Sequence, residues 1–535
     1  MTRCFATPPV RVGHGHERRR ASCGVSMLLV CGLSLAPGLT VAQEPAADAG
    51  LAQGLRPNWV ITPSVSVEGI YTDNVNLAAN KKADFITRLS PGITLDGKGG
   101  RASASLNYQW QFSRYAENSA SNGQQRSLAA RGKLELVDQW LFVEGSHNIG
   151  QSTVSAFGTQ SVGNELTNAN RSETAGYSIS PYIQGRLAGM ADYQVRYTGT
   201  SVSSDTGPLS GGAASTTRSW TGRLSGATPL APLGWSFNAS RQVASQNTGV
   251  ETRSSSLVGT LTYQIDPQVR LNASAGRQSD NYLDPAQQQR TTTGLGLEWA
   301  PTERTQVSLK KDRNAAGNGF GVDFSHRTAL TAWQFSDSRS ITIPTPQLTR
   351  APTGTAYDLL YQQLASSFPD PAARAAETGR QLAQAGIAAD APIFGPLLTS
   401  QAYVQRRQQA SVALNGANNT VIFAVDRSNS ERLGTGIGVA DDFALSSDIR
   451  QSGFNTSWAH KITPDTALTL NARTSRSTGS ANLETSLKSL SLMFTTQLGA
   501  KASASVGLRQ TRFDAATAGT GYDEHALTGS MQLRF

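Results

Sequence analysis

Cysteine is nearly missing from this 535-residue chain: Cys4, Cys23 and Cys31 are its three copies, and all lie close to the start. The long remainder has no thiol, which excludes disulfides, thiol catalysis and cysteine metal sites there. Histidine is scarce too, and His147, His326, His460 and His525 show no metal-ligand spacing. Charged residues make up only 16 % of the chain. No segment beyond the N-terminal region approaches the length of apolar run that a spanning helix needs, roughly 20 residues, so no membrane helix is expected.

Residues 1–42 read as a cleaved secretory leader. Arg18-Arg19-Arg20 form a positive start, Val25 to Leu35 a short apolar core, and Thr40-Val41-Ala42 a small-residue cleavage site before Gln43. Ser34, Pro37 and Gly38 interrupt the apolar run and argue against an anchor. Without the leader the formal charge of +9 falls to about +5, too small a surplus for a nucleic-acid binder, so no nucleic-acid partner is expected. Residues 43–58, rich in Ala, Gln and Gly, read as a disordered periplasmic lead.

The rest of the chain alternates. In the final stretch Leu527, Met531, Leu533 and Phe535 share one face of a strand, and Thr528, Ser530, Gln532 and Arg534 share the other. Leu106, Tyr108, Trp110 and Phe112 oppose Asn107, Gln109 and Gln111; Leu257, Leu261 and Tyr263 oppose Ser256, Thr260, Thr262 and Gln264. A strand with one greasy and one wet face, ending on an apolar aromatic, suits a membrane barrel, because an open sheet edge cannot persist in lipid. Leu527, Met531, Leu533 and Phe535 are therefore expected to close the barrel and to serve as its assembly signal.

Tight turns appear at 97–100, 137–139, 266–268, 300–303, 415–418, 463–466 and 499–501, each with Gly, Pro, Asn, Asp or a similar polar residue. Longer polar loops lie between them, such as 116–125, 151–170, 201–217, 278–290 and 473–483. The turns recur every ~35–50 residues, enough for two strands and a loop. The expected fold is all-β: a transmembrane antiparallel up-and-down β-barrel over residues 59–535, with about 22 strands and a range of about 18–24. Between a reversal near Asp337 and the next at Gly416 there is surplus chain. Residues 344–400 are expected to form a partly helical insert, with helices at Ala356 to Ser367 and Pro371 to Gln384, serving as a plug or lid over the pore or as a surface decoration.

Chemistry-bearing motifs are weak. Gly92 to Lys98 fits most of a phosphate loop, but Gly99 replaces the needed Ser or Thr and no helix follows, so a hairpin is the better reading. No catalytic residue, cofactor or metal site is expected. Tryptophans 110, 140, 235, 299, 333 and 458 fall near expected strand ends, where aromatic girdles meet the lipid interface. The same alternation turns Lys133, Arg196, Arg270, Lys310, Arg473, Arg509 and Arg534 toward the lumen, beside Glu135, Glu298 and Asp312. A cationic surplus there would concentrate anions; the plainer alternative is that these groups only keep the lumen wet.

Near the start of the barrel, Trp59-Val60-Ile61-Thr62-Pro63-Ser64-Val65, Tyr71-Thr72-Asp73-Asn74-Val75, Asp84-Phe85-Ile86-Thr87 and Ser90-Pro91-Gly92-Ile93 resemble the opening of the outer-membrane protein family associated with the PEP-CTERM/exosortase system. The resemblance continues through Phe368-Pro369-Asp370-Pro371 and Gln405-Arg406-Arg407 to Phe535. It implies a Gram-negative outer-membrane barrel that accompanies exopolysaccharide production and the sorting of PEP-CTERM proteins, with no catalytic residues to carry over. Outer-membrane lipid, the barrel assembly machinery, and exopolysaccharide or export components are the implied partners. The expected role is a channel or export conduit for polysaccharide or polar solutes; the alternative is a non-conducting scaffold for sorted surface proteins.

Overall fold

The computed structural model describes residues 58–535 except 167, 206–214, 229, 231, 247–250, 283–285, 315–316, 434–440, 481, 516–519 and most of 343–401. The expected leader and nearly all of the expected lead lie outside the described residues, as do most of the two helices expected in the insert. Leu360, Tyr361, Arg374 and Thr378 within that insert are helical.

Twenty-two antiparallel strands follow one another in chain order. The first eight are β1 (Asn58–Thr72), β2 (Asp84–Lys98), β3 (Ala102–Tyr115), β4 (Gly123–Val137), β5 (Leu141–Thr153), β6 (Arg171–Leu187), β7 (Ala191–Ser204) and β8 (Ser215–Ala227). Then come β9 (Leu233–Gln246), β10 (Glu251–Gln264), β11 (Val269–Asp280), β12 (Gln288–Thr302), β13 (Thr305–Asn314), β14 (Gly317–Arg327) and β15 (Thr331–Thr342). The last are β16 (Tyr403–Asn415), β17 (Asn419–Arg432), β18 (Asp448–Thr463), β19 (Thr466–Gly479), β20 (Glu484–Gly499), β21 (Ala502–Ala515) and β22 (Tyr522–Arg534); a single-turn helix, α1 (Asp442–Leu445), precedes β18. Each strand pairs with its chain neighbours and β22 pairs with β1, so the sheet closes. Spaced about 4.8 Å apart and tilted about 40°, the strands enclose a ring roughly 40 Å across.

The closing seam follows the alternation. Val65, Val67 and Tyr71 stand opposite Leu533, Met531 and Leu527 on the outer face; Ser64, Ser66 and Glu68 stand opposite Arg534, Gln532 and Ser530 on the inner. The Phe535 amide donates to the Pro63 carbonyl at 3.0 Å. At the neighbouring seam Trp59 lies across Gly97, where any Cβ would come within 1.9 Å of the indole. Glycine is therefore required under that ring.

All ten connections at one end of the barrel are short, two to five residues. Local chemistry fixes them: the Asp266 carboxylate accepts from the Gln268 and Val269 amides at 2.7 and 2.8 Å, and Gly189 takes a φ of 72° in the β6–β7 turn. Connections at the other end run from two residues to sixty. Two expectations are corrected here. Arg473 to Leu483 is not a loop, since β19 continues to Gly479 and leaves only 480–483. The reversal near Asp337 lies earlier, at 328–330, and Asp337 is mid-strand in β15. In both places polar residues on the outer face had the look of loop, but they continue a paired strand.

Large apolar side chains ring the outside: Leu257, Leu261, Leu295, Leu490, Val506, Leu508 and Met531 are among the exposed ones. Trp59, Trp235, Tyr263, Trp299, Trp333 and Trp458 bound this belt near the short-turn end. Tyr71, Phe85, Trp110, Tyr177 and Trp220 bound it toward the other. Trp110 thus marks the far girdle from within β3 rather than a strand end.

Leu508 sits in mid-belt, 57 % exposed, opposite Leu492 and Leu527. Leu508→Arg should destabilise the barrel in lipid vesicles by about 2–4 kcal/mol in denaturant unfolding, and Ser505→Arg, on the inner face of the same strand, by well under half of that. Equal costs would invert the assignment of faces. Deleting Phe535 should lower the yield of heat-modifiable barrel; normal yield would separate this residue from assembly.

Candidate functional site: the lumen and its in-folded loop

The inner wall is polar, and the seven basic residues singled out by alternation all lie on strand positions that face it. They differ in what surrounds them. Arg196 on β7 lies 4.0 Å over the Tyr182 ring and 2.6 Å from the Glu144 carboxylate, which also accepts the Tyr182 hydroxyl at 3.0 Å. Lys133 on β4 points its ammonium at the Phe142 ring, 4.8 Å from the centroid, and Phe142 stacks on Tyr182 at 5.0 Å. Arg270 bonds Glu298 at 2.9 Å, and Lys310 stands 3.8 Å from Asp312. Arg473 lies on the inner face of β19, and Arg534 is exposed at the short-turn end of β22. Arg509 is clamped between Glu165 and Glu524.

Four of the seven thus carry a carboxylate partner, which removes much of the cationic surplus that the sequence suggests. Lys133 and Arg534 make no ion pair among the described residues. Neither does Arg131, which is on the same face of β4 two residues before Lys133 and which the sequence reading passed over. Lys98, Arg131 and Lys133, with Glu144, Ser146 and Ser180, line a recess of about 510 Å³ in the wall.

The largest departure from the sequence reading is the connection between β5 and β6. Residues 151–170 were expected to be one of the longer polar loops; instead β5 runs on to Thr153, and the described residues of 154–170 fold into the lumen and lie against its wall. Leu166 is buried among Ile70, Ile86, Tyr115, Leu487, Phe513 and Tyr522, inward residues of β1, β2, β3, β20, β21 and β22. Ala156 is buried with Tyr403, Phe443 and Ile449 of β16, α1 and β18, and Phe157 packs on that group. Inward apolar residues near this end of the strands, out of place in a wet lumen, are explained by the loop that covers them.

Hydrogen bonds fix the loop at both ends. The Tyr115 hydroxyl donates to the Glu165 carbonyl at 2.7 Å, the Tyr522 hydroxyl to Gln160 at 2.6 Å, and Thr485 to Ala156 at 2.9 Å. The Ala156 amide donates to the Asp442 carboxylate at 2.7 Å, and the Ser155 hydroxyl donates to the other oxygen. Asn170 both accepts from the Ser155 amide and donates to its carbonyl, which closes the loop at its neck. The sequence carried a faint signal for this in Phe157 and Leu166, apolar residues in an otherwise polar stretch.

The two anchors have opposite electrostatics. Burial pushes the Glu165 carboxyl up, but the Arg509 and Arg88 charges and the Arg509 hydrogen bond outweigh it and hold the group below the usual glutamate range. Burial pushes the Asp442 carboxyl up, the bonds from Ser155 and Ala156 oppose this, and Asp441 adds to it.

A membrane-facing apolar belt between two aromatic girdles, a polar lumen, short turns at one end and longer loops at the other define a multi-pass outer-membrane β-barrel. The short turns are periplasmic and the long loops extracellular. Residues 44–186, which run through most of β6, match the family described as "Putative beta-barrel porin 2". No curated protein matches the sequence. Among solved structures, the chain is similar to the FrpB iron transporter from Neisseria meningitidis in its apoprotein form (10 % identity, 89 % of this chain and 81 % of that chain, TM-score 0.48). It is also similar to the siderophore receptor PirA from Acinetobacter baumannii (9 % identity, 88 % and 80 %, TM-score 0.47) and the ferric-catecholate import receptor Fiu from E. coli K12 (8 %, 88 % and 81 %, TM-score 0.46).

Because the Glu165 carboxyl is depressed, its contribution is present above its ordinary value of 4.5 and is lost as the pH falls below it. Asp442, raised, changes in the other sense, so acid should release the Glu165 end of the loop. A single spin label at Ser161, unique because no cysteine occurs after Cys31, should gain mobility as the pH falls below about 4.5. Glu165→Gln should show that mobility already at neutral pH. A label equally immobile in both would remove Glu165 from the anchor.

Proposed function

We propose that this barrel is an outer-membrane conduit for polysaccharide or a related polar solute, serving exopolysaccharide production and PEP-CTERM protein sorting. One observation carries the reading: a polar lumen broad enough for a polymer is narrowed at its extracellular end by a loop pinned to the wall. A 22-stranded ring has room for a channel or an occluded transporter, and residues 154–170 place the narrowing inside it. The hydroxyls and cations of the β4–β6 wall supply hydrogen-bond donors to a solute rich in hydroxyl or acidic groups. The family resemblance of the opening hairpin supports the association with exopolysaccharide, whose export components would meet the periplasmic turns. Insertion by the barrel assembly machinery belongs to the same reading.

Single-channel recording in planar bilayers tests it. The full chain should give small steps, and a variant in which 156–168 is replaced by a short Gly/Ser linker should give larger ones. Arg131→Glu with Lys133→Glu should move the reversal potential toward cation selectivity. If 344–400 is also an obstruction, its removal adds to the step. Silence from every variant, each verified as folded barrel, would overturn the conduit and favour the scaffold.

A further inference from the structure

The outer face carries charge where the apolar belt ends. At and around the extracellular girdle, successive strands turn basic side chains outward: Arg218 on β8, Arg241 on β9, Arg253 on β10 and Arg277 on β11 share the face of Trp220, Phe237 and Leu257. Farther round the barrel, outward Arg406, Arg450, Arg476 and Arg512 are matched by Asp337, Asp448, Glu484 and Asp514 within 3.3 Å, while Arg313 on β13 and Arg427 on β17 make no ion pair among the described residues but stand singly. The stretch over β8–β10 is different.

Arg218 and Arg253 both stand opposite Val243, one from each side, and Arg241 lies two residues from Val243 on the same face, opposite Trp220 and Ser255. Directly opposed residues on one face lie about 5 Å apart and diagonal ones about 7–8 Å, so three guanidiniums gather on a patch roughly 10 Å wide. All three side chains are exposed. Only Arg253 has a carboxylate, Glu251 at 2.7 Å; Arg218 and Arg241 make no ion pair among the described residues. The patch faces the bilayer rather than the pore, and Trp220, 55 % exposed, lies at its lower edge. Tryptophan at that position marks headgroup depth. Cations there meet lipid phosphates, and the planar arginine fork matches a phosphate with two parallel hydrogen bonds.

We infer that Arg218, Arg241 and Arg253 form a binding site for the phosphorylated headgroup of a lipid in the outer leaflet. Phosphate is favoured over a carboxylate because a phosphomonoester carries up to two charges and three acceptor oxygens, enough to engage all three arginines. The lipid tails would then lie along Trp220, Phe237 and Leu257 below. This inference needs the fold alone and stands whether or not the barrel conducts.

The full chain, refolded into detergent micelles, is titrated with a bis-phosphorylated glucosamine glycolipid and followed by native mass spectrometry. The same glycolipid after phosphatase treatment and inorganic phosphate as competitor serve as the other arms. The phosphorylated lipid should be retained and the dephosphorylated one lost. R218Q/R241Q/R253Q should weaken retention roughly 100-fold, and R450Q/R512Q, which removes arginines that already have acids, should leave it unchanged. If the triple variant does not give a heat-modifiable barrel, R241Q alone should weaken retention roughly five-fold. Unchanged retention in the arginine variants overturns the site. So does equal retention of the dephosphorylated lipid, or displacement by inorganic phosphate at the lipid's own concentration, which would mean a free-anion site. A dimer that the triple variant loses, without any lipid bound, would instead make the patch an interface between copies.

Discussion

The constraint on which the structure depends is that backbone amides and carbonyls cannot be left without partners in hydrocarbon. A strand satisfies only half of its groups on each side, so a sheet in lipid has no acceptable edge. Closure between β1 and β22 meets that constraint, and the strict alternation of the last strand follows from it. Leu527, Met531 and Leu533 must be apolar because they face lipid, and the residues between them must be polar because they face water. The Phe535 amide, bonded to Pro63, extends the seam by one more pair.

Closure creates a second problem. A ring of this size encloses a large volume that side chains alone cannot fill. Residues 154–170 occupy part of it and in doing so shelter inward apolar residues such as Ile70, Ile86 and Phe513. The loop is held by buried charge as well as by apolar contact. Arg509 bridges Glu165 and Glu524, with the Arg88 charge near Glu165 adding to it, and without Arg509 the two buried carboxylates would lose their shared counter-charge, a strongly destabilising arrangement. The lumen is therefore wet along the periplasmic half of the wall and partly packed near its extracellular mouth.

The outer face follows depth more than strand. Apolar residues dominate the middle of the belt, aromatic residues mark its limits, and arginine gathers at and above the upper one, where Arg126 and Arg241 stand opposite Trp110 and Trp220. Where those arginines come with acids, the surface is self-contained; over β8–β10 three of them gather around Val243 with a single acid, and that clustering makes the patch between Arg218 and Arg253 distinctive. A lipid-facing cation is tolerated at headgroup depth, and its long stem lets the charge reach outward.

What the sequence by itself determined is whatever depends on a two-residue period and on turn chemistry. The strand count, the inner and outer faces, the closing residues and the direction of Lys133, Arg196 or Arg270 were legible because alternation is local and each strand repeats it. The inserted loop was not legible, because Phe157 and Leu166 meet their partners across hundreds of residues of sequence. Nor could the sequence show that Arg509 is neutralised by Glu165, 344 positions away, while Lys133 is left to aromatic rings. Alternation gives a side chain its direction; only the closed ring decides what it faces, because closure brings strands from both ends of the chain around a single lumen.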